Sequence, residues 1–130
     1  EDVSIDGSDA NATFVSLGVL SQWVKDRGIT LELSPSSNLQ TGAIAAIGED
    51  LEDHPFDVLY ELGFNVTVNV DNRLMSATTL TRELELLVDT FGYGPGDLEQ
   101  FQLNAAMAAF QDLEAREELV EIINQAYSRI

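Results

Sequence analysis

The segment NVTVNVD, residues 65–71, decides how this sequence folds. Valine at every second position alternates with Thr67, Asn69 and Asp71, and this period of two is typical of a β-strand with one apolar and one polar face. A second segment, ITLELSP at 29–35, has the same alternation and ends at a proline. The sequence therefore predicts two short strands, each with a polar face.

Segments with helical spacing of apolar residues surround these strands. One stripe before the first strand predicts a helix closed by Gly28, and its members are Phe14, Leu17, Leu20 and Val24. Between the strands, SSNLQTGA at 36–43 predicts a loop and HPFDVLYELG at 54–63 a short helix. From Thr78 onward, three amphipathic stripes predict three helices. The expected order is α-β-α-β-α-α-α.

This order predicts an α/β fold in which a helical crossover joins two parallel strands. The polar faces of both strands culminate at their carboxyl ends, where open α/β sheets and β/α barrels place their active sites. Strands covered on both faces usually have nearly continuous apolar sequences, which these lack. An antiparallel sheet with one solvated face is the alternative interpretation.

Composition excludes several classes of protein. Within 130 residues there are 23 Asp and Glu against 6 Lys and Arg, which gives a net charge of −17 and argues against binding to nucleic acid or to an anionic membrane. The absence of cysteine excludes disulfides, thiolate zinc sites and cysteine nucleophiles. No apolar run approaches the roughly 20 residues that span a bilayer. Because EDVSIDGSDA at 1–10 has neither an initiator Met nor a signal peptide, we expect the chain to be part of a longer protein.

Several motifs together resemble the carboxyl-terminal third of bacterial adenosine deaminases. They are SPSSN at 34–38 followed by TG at 41–42, HPFDVLYELG at 54–63, VNVDNRLMS at 68–76 and QLNAAMAAF at 102–110. The combination of SPSSN with VNVDNRLMS is highly specific. The resemblance extends over essentially the whole chain.

The resemblance implies a zinc-dependent (β/α)₈ barrel of the TIM type that hydrolyses adenosine to inosine and ammonia in the cytoplasm. Such barrels need about 250 residues, so this chain would supply the seventh and eighth strands and the carboxyl-terminal helices of an incomplete barrel. Residues 1–130 are accordingly expected to be the carboxyl-terminal segment of a single metal-dependent hydrolase domain. Its expected partners are a purine nucleoside and the remainder of the same chain.

Two residues carry the site that the resemblance implies. Asp71 matches the aspartate that binds zinc at the end of the eighth strand, and a carboxylate is a hard anionic donor that zinc accepts as a ligand. Asn72 stands where many family members have a second aspartate that contacts the purine, and an amide can also donate or accept a hydrogen bond there. The histidine ligands and the catalytic glutamate would lie upstream. The isolated chain is therefore expected to be inactive and to retain no zinc ion.

Other polar residues near these strands have two interpretations each. His54, the only histidine, is interpreted as a helix cap or a surface residue, and Glu32 as a possible base or as a residue of the barrel interior. The loop after the first strand is expected to shape the pocket wall through its polar residues Ser34, Ser36, Ser37 and Asn38. Arg73 and Ser76 either support Asp71 or build the turn that follows it.

Two other functions stay open. The chain could be a non-catalytic acidic α/β module that binds a partner, which its length and charge favour. A lone pair of parallel strands is not independently stable, however, and has sticky edges. Within the same family, the complete enzyme could deaminate another purine.

Overall fold

An antiparallel hairpin opens the computed structural model, which describes residues 3–8 and 13–129. Strand β1 (Val3–Ser8) pairs with β2 (Thr13–Leu17), and helix α1 (Val19–Asp26) follows after Gly18. The prediction of one helix from Phe14 to Gly28 is therefore wrong in its first half. Thr13, Phe14 and Val15 are residues that favour strands, and they extend along a partner strand that the helical spacing alone could not reveal.

The two predicted strands pair in parallel. They are β3 (Leu31–Leu33) and β4 (Val66–Val68), and Glu32 lies opposite Thr67 in the register. This confirms the parallel α/β prediction, and the alternative of an antiparallel pair is wrong. The carboxyl ends of both strands therefore lie side by side at one edge of the sheet.

The crossover between the strands contains two helices instead of the single one predicted. Helix α2 (Pro35–Gln40) occupies the segment expected to be a loop. Proline suits the first turn of a helix because its fixed φ angle is already helical and the missing N–H is not needed there. A single 3₁₀ turn at Leu51–Asp53 precedes α3 (Phe56–Glu61), which confirms the predicted short helix.

Three longer helices complete the described chain, as predicted. They are α4 (Leu80–Phe91), α5 (Pro95–Ala108) and α6 (Leu113–Tyr127). Thr79 is the N-cap of α4, and its hydroxyl accepts a 3.2 Å hydrogen bond from the backbone N–H of Arg82. Helices α4 and α5 contact β4, and α6 packs against α5.

The apolar core lies between β4 and helices α3, α4 and α5. Its buried members are Phe56, Phe64, Val66, Val68, Leu87, Tyr93 and Phe101. The ring of Phe101 packs edge-on against Phe56 at a centroid distance of 5.2 Å and against Tyr60 at 4.8 Å. Aromatic rings therefore anchor α5 to α3, in the favourable perpendicular arrangement.

Within residues 3–8 and 13–129 the strands form two separate two-stranded sheets and no closed barrel. The outer edge of β4 meets α5, because the side-chain N–H of Asn104 donates a 2.9 Å hydrogen bond to the carbonyl oxygen of Val66. None of the helices in these ranges is both long and apolar enough to cross a membrane.

Candidate metal and purine site

Asp71 lies three residues beyond β4, where the chain turns at the carboxyl edge of the sheet. Its side chain is exposed, and Oδ2 accepts a 2.7 Å hydrogen bond from the hydroxyl of Ser37, a buried residue of α2. No donor among the described residues bonds Oδ1. The carboxyl ends of the two parallel strands thus meet as the sequence predicted, and they leave one carboxylate oxygen available to a ligand.

Asn72 is also exposed, and its side chain shapes the turn that follows Asp71. Oδ1 of Asn72 accepts a 3.2 Å hydrogen bond from the backbone N–H of Met75, and its carbonyl oxygen accepts one of 2.9 Å from the N–H of Ser76. The Arg73 carbonyl oxygen bonds the N–H of Thr78 in the same turn. The backbones of Arg73 and Ser76 therefore build the turn, and neither residue has a described hydrogen bond to Asp71.

Glu83, in the first turn of α4, is almost fully buried with 1% of its surface exposed. Oε1 accepts a hydrogen bond of 2.5 Å from the Thr78 hydroxyl, and Oε2 accepts one of 3.0 Å from the backbone N–H of Ser36. Its carboxyl group therefore fixes the first turn of α2, next to Ser37.

Sequence reasoning missed Glu83, although a signal was present. It lies three residues after Leu80 and four before Leu87, two members of the apolar stripe of α4. A carboxyl group at that spacing lies on the buried face of a helix. Buried carboxyl groups need hydrogen-bond partners, so its position alone indicated a polar network beneath α4.

His54 is buried with 2% exposure, in the turn before α3. Its Nδ1 accepts a 3.1 Å hydrogen bond from the backbone N–H of Phe56, which confirms the predicted cap, while the alternative of a surface position is wrong. Its Nε2 lies 3.1 Å from Oδ1 of Asn38. Burial lowers the pKa of His54 below its usual value, and the nearby Glu83 carboxyl acts in the opposite direction.

Glu32 belongs to a different part of the sheet. Its side chain is exposed and lines a small cavity of about 90 Å³ together with Thr67, Asn69, Ala105 of α5 and Phe110 just beyond that helix. Thr67 is buried there and accepts a 2.8 Å hydrogen bond from the side-chain N–H of Asn69. The polar faces of the strands are thus partly covered by α5, and no described hydrogen bond joins Glu32 to Asp71.

The described residues provide one carboxylate that suits a metal. No group of three or more His, Asp or Glu side chains within the described ranges could hold an ion. Asp71 nevertheless fits the role of a single ligand, because zinc accepts carboxylate oxygens. Its second oxygen is held by Ser37, and such a partner orients a metal ligand.

Solved structures identify the class of fold to which this arrangement belongs. An adenine deaminase from Arthrobacter aurescens matches 82% of this chain and 32% of its own length, with a TM-score of 0.75 and 20% identity. A structure of ADAL in complex with IMP matches 84% of this chain and 31% of its own, with a TM-score of 0.74 and 23% identity. The fold of this chain is therefore that of about a third of each of these two structures.

Sequence comparison identifies the family within that class. The profile of adenosine deaminase matches residues 12–126, and the chain belongs to the adenosine deaminase family. An adenosine deaminase from Mycobacteroides abscessus is 48% identical over 129 residues, and one from Mycobacterium leprae is 50% identical over 107 residues. The matched regions make up 98% and 82% of this chain, respectively, but only 33% and 28% of those enzymes. The chain thus spans about a third of the length of its curated relatives.

Proposed function

We propose that the complete protein containing this chain hydrolyses adenosine to inosine and ammonia with one zinc ion, and that Asp71 is a ligand of that ion. Relatives named adenosine deaminase, 46–50% identical to this chain, support the reaction. The observation that carries the proposal is the Asp71 carboxylate, which follows β4 with one oxygen bound by Ser37 and the other unoccupied by any described donor.

In this proposal β3 and β4 are the seventh and eighth strands of a (β/α)₈ barrel, and residues 1–130 belong to one domain. Their parallel pairing and the helical crossover between them support this assignment. A two-stranded parallel sheet needs further strands for stability, and the remainder of the enzyme would supply them. The active site of such a barrel lies at the carboxyl ends of its strands, which is the edge where Asp71 lies.

Asp71 would hold the metal through Oδ1. The hydroxyl of Ser37 bonds the other oxygen and so restricts rotation of the carboxylate, which keeps the free oxygen in one direction. When bound, zinc lowers the pKa of water and makes hydroxide available near neutral pH. The remaining protein ligands come from the part of the enzyme outside these 130 residues, because zinc sites that catalyse hydrolysis use about three protein ligands.

Asn72 would contact the purine ring. Its Oδ1 is engaged by the N–H of Met75, whereas its Nδ2 has no acceptor among the described residues. The amide nitrogen can therefore donate a hydrogen bond to a ring nitrogen of the base. Asn72→Ala should raise KM for adenosine more than it changes the zinc content.

The test of the metal assignment is Asp71→Ala in the complete enzyme. We expect bound zinc and adenosine hydrolysis both to be lost, as measured by metal analysis and by the absorbance change on inosine formation. Asp89→Ala is the matched control, because Asp89 is an exposed carboxylate on α4, and it should behave as the wild type. Unchanged zinc and activity in Asp71→Ala would refute the assignment.

The preferred purine needs its own measurement. The relatives at 46–50% identity are named adenosine deaminases, and we therefore propose adenosine as the preferred substrate of the complete enzyme. Initial rates with adenosine, adenine and a modified purine would test this, and a higher kcat/KM for adenine would overturn the preference without affecting the role of Asp71.

The isolated chain is proposed to be inactive. A preparation of residues 1–130 should release no ammonia from adenosine and should retain no zinc after dialysis, since it supplies only one of the ligands. A monodisperse monomer that melts cooperatively and binds no zinc would instead favour an independent, non-catalytic module.

A further inference from the structure

The hydrogen bonds of His54 define the tautomer of its imidazole ring. Its Nδ1 accepts a hydrogen bond from the backbone N–H of Phe56 at 3.1 Å, so this nitrogen carries no proton. The neutral ring then has its proton on Nε2, which faces Oδ1 of Asn38 at 3.1 Å. His54 is therefore a donor to Asn38.

Asn38 connects His54 to the start of α2. Its Oδ1 also accepts a 3.3 Å hydrogen bond from the backbone N–H of Ser34, directly before the helix. An amide oxygen has two lone pairs, and both are used here. The side chain of Asn38 thus ties the start of α2 to the segment that contains His54.

The orientation of α2 decides whether Ser37 reaches Asp71. Ser37 precedes Asn38 in the same short helix, and its hydroxyl donates the 2.7 Å hydrogen bond to Oδ2 of Asp71. Because Ser37 and Asn38 are adjacent residues of one six-residue helix, a rotation of α2 that displaces Asn38 also displaces this hydroxyl. Holding Asn38 therefore also holds Ser37.

We propose that His54 is a positioning residue for the metal ligand: through its Nε2–H it fixes Asn38, and through α2 it fixes the Ser37 hydroxyl that orients Asp71. This inference rests on the proposed function of Asp71. It assigns a role to the only histidine in these 130 residues, which would otherwise be only a cap on α3.

Two substitutions separate positioning from capping. In His54→Asn the amide oxygen can take the place of Nδ1 and keep the bond from Phe56, but the side chain is too short to reach Asn38. In His54→Gln the amide nitrogen can take the place of Nε2 and keep the bond to Asn38. A purely capping histidine would be better replaced by Asn, and a positioning histidine by Gln.

The experiment compares these variants in the complete enzyme by chelator competition for zinc and by kcat and KM. We expect His54→Asn to weaken zinc binding at least fivefold and to lower kcat with little change in KM, while His54→Gln stays within about twofold of the wild type. Wild-type behaviour of His54→Asn, or equal losses in both variants, would overturn the inference. If the wild-type enzyme itself held no zinc, the proposed function would fail and this inference with it.

A second measurement depends on neither zinc nor activity. In the complete enzyme, the imidazole resonances that disappear in His54→Gln are those of His54, so long-range ¹H–¹⁵N spectra report its ring form. We expect a neutral ring protonated on Nε2 at pH 7, and Asn38→Leu should shift the Nε2 resonance while the Nδ1 resonance stays nearly constant. A ring protonated on Nδ1 would overturn the inference.

Discussion

The hydroxyl of Ser37 donates a 2.7 Å hydrogen bond to Oδ2 of Asp71, across 34 positions of the chain. It joins the helix that follows β3 to the turn that follows β4. Since the two strands are parallel neighbours, this bond connects adjacent carboxyl ends of the sheet. The proposed metal ligand is thus supported by a side chain from the preceding βα unit.

Removing that hydroxyl should weaken metal binding. In Ser37→Ala the Asp71 carboxylate loses its partner and can rotate, and loss of a partner to a metal ligand typically lowers affinity about 10–100-fold. We expect a decrease of that size in the zinc affinity of the complete enzyme, measured by chelator competition. Ser36→Ala is the matched control, because Ser36 contributes its backbone N–H, which the substitution keeps. Equal affinities for both variants would contradict the role of Ser37.

Glu83 should be essential for the stability of the segment beneath the site. Glu83→Leu leaves the Thr78 hydroxyl and the Ser36 N–H without their acceptor, at about 1–3 kcal/mol for each unpaired buried group. Glu83→Gln keeps one acceptor oxygen, so its free energy of unfolding should fall by less than that of Glu83→Leu. Urea unfolding of the complete enzyme measures the loss in both variants. The control is Glu85→Gln on the same helix, where an exposed 3.5 Å ion pair with Arg82 contributes less than about 1 kcal/mol.

The strands and long helices could be predicted because their patterns are local. Alternation around Thr67 and the apolar stripe of α4 each identify one element without knowledge of its neighbours. The apolar stripe through Phe14 and Leu20 led to a wrong prediction of a single helix. So short a pattern also fits a strand followed by a helix, and only pairing with β1 shows that the first part is a strand. Helix α2 escaped prediction because its six residues are too few to show an apolar stripe.

Of the candidate site, the sequence alone could indicate single residues but not the contacts between them. The metal role of Asp71 stays a prediction, made from its place after a strand and from the resemblance. The bonds that hold it arise from tertiary packing, which joins Ser37 to Asp71 and His54 to Asn38. No spacing in the sequence indicates those pairs. The burial of Glu83 was missed but was open to prediction, because its spacing on α4 places it on the apolar face.

Phe101 should contribute more to stability than any residue of similar size on the surface. Its ring is 2% exposed and packs against Phe56, Tyr60 and Tyr93. Phe101→Ala should lower the free energy of unfolding by about 3–5 kcal/mol, as measured by urea unfolding. Phe110→Ala is the control: Phe110 is 98% exposed, and its loss should change the free energy by less than about 0.5 kcal/mol. Similar losses for both would contradict the packing of α5.

Stability should fall in alkaline solution because of Tyr60. Its hydroxyl donates a 2.9 Å hydrogen bond to Oδ1 of Asp97, and burial followed by that bond raises the pKa of Tyr60 from 10.0 to about 12. A group whose pKa is raised on folding stabilises the native state fully below its unfolded pKa and loses this effect as the pH rises. We expect the free energy of unfolding to fall between about pH 10 and 12.

Tyr60→Phe should be less stable than the wild type at pH 8 by about 0.5–1.5 kcal/mol, the contribution of one hydrogen bond. The difference between the two should shrink at pH 11, because the wild type has then begun to lose the contribution that the variant never had. A constant difference in urea unfolding at both pH values would show that the Tyr60 pKa is the same in the folded and unfolded states.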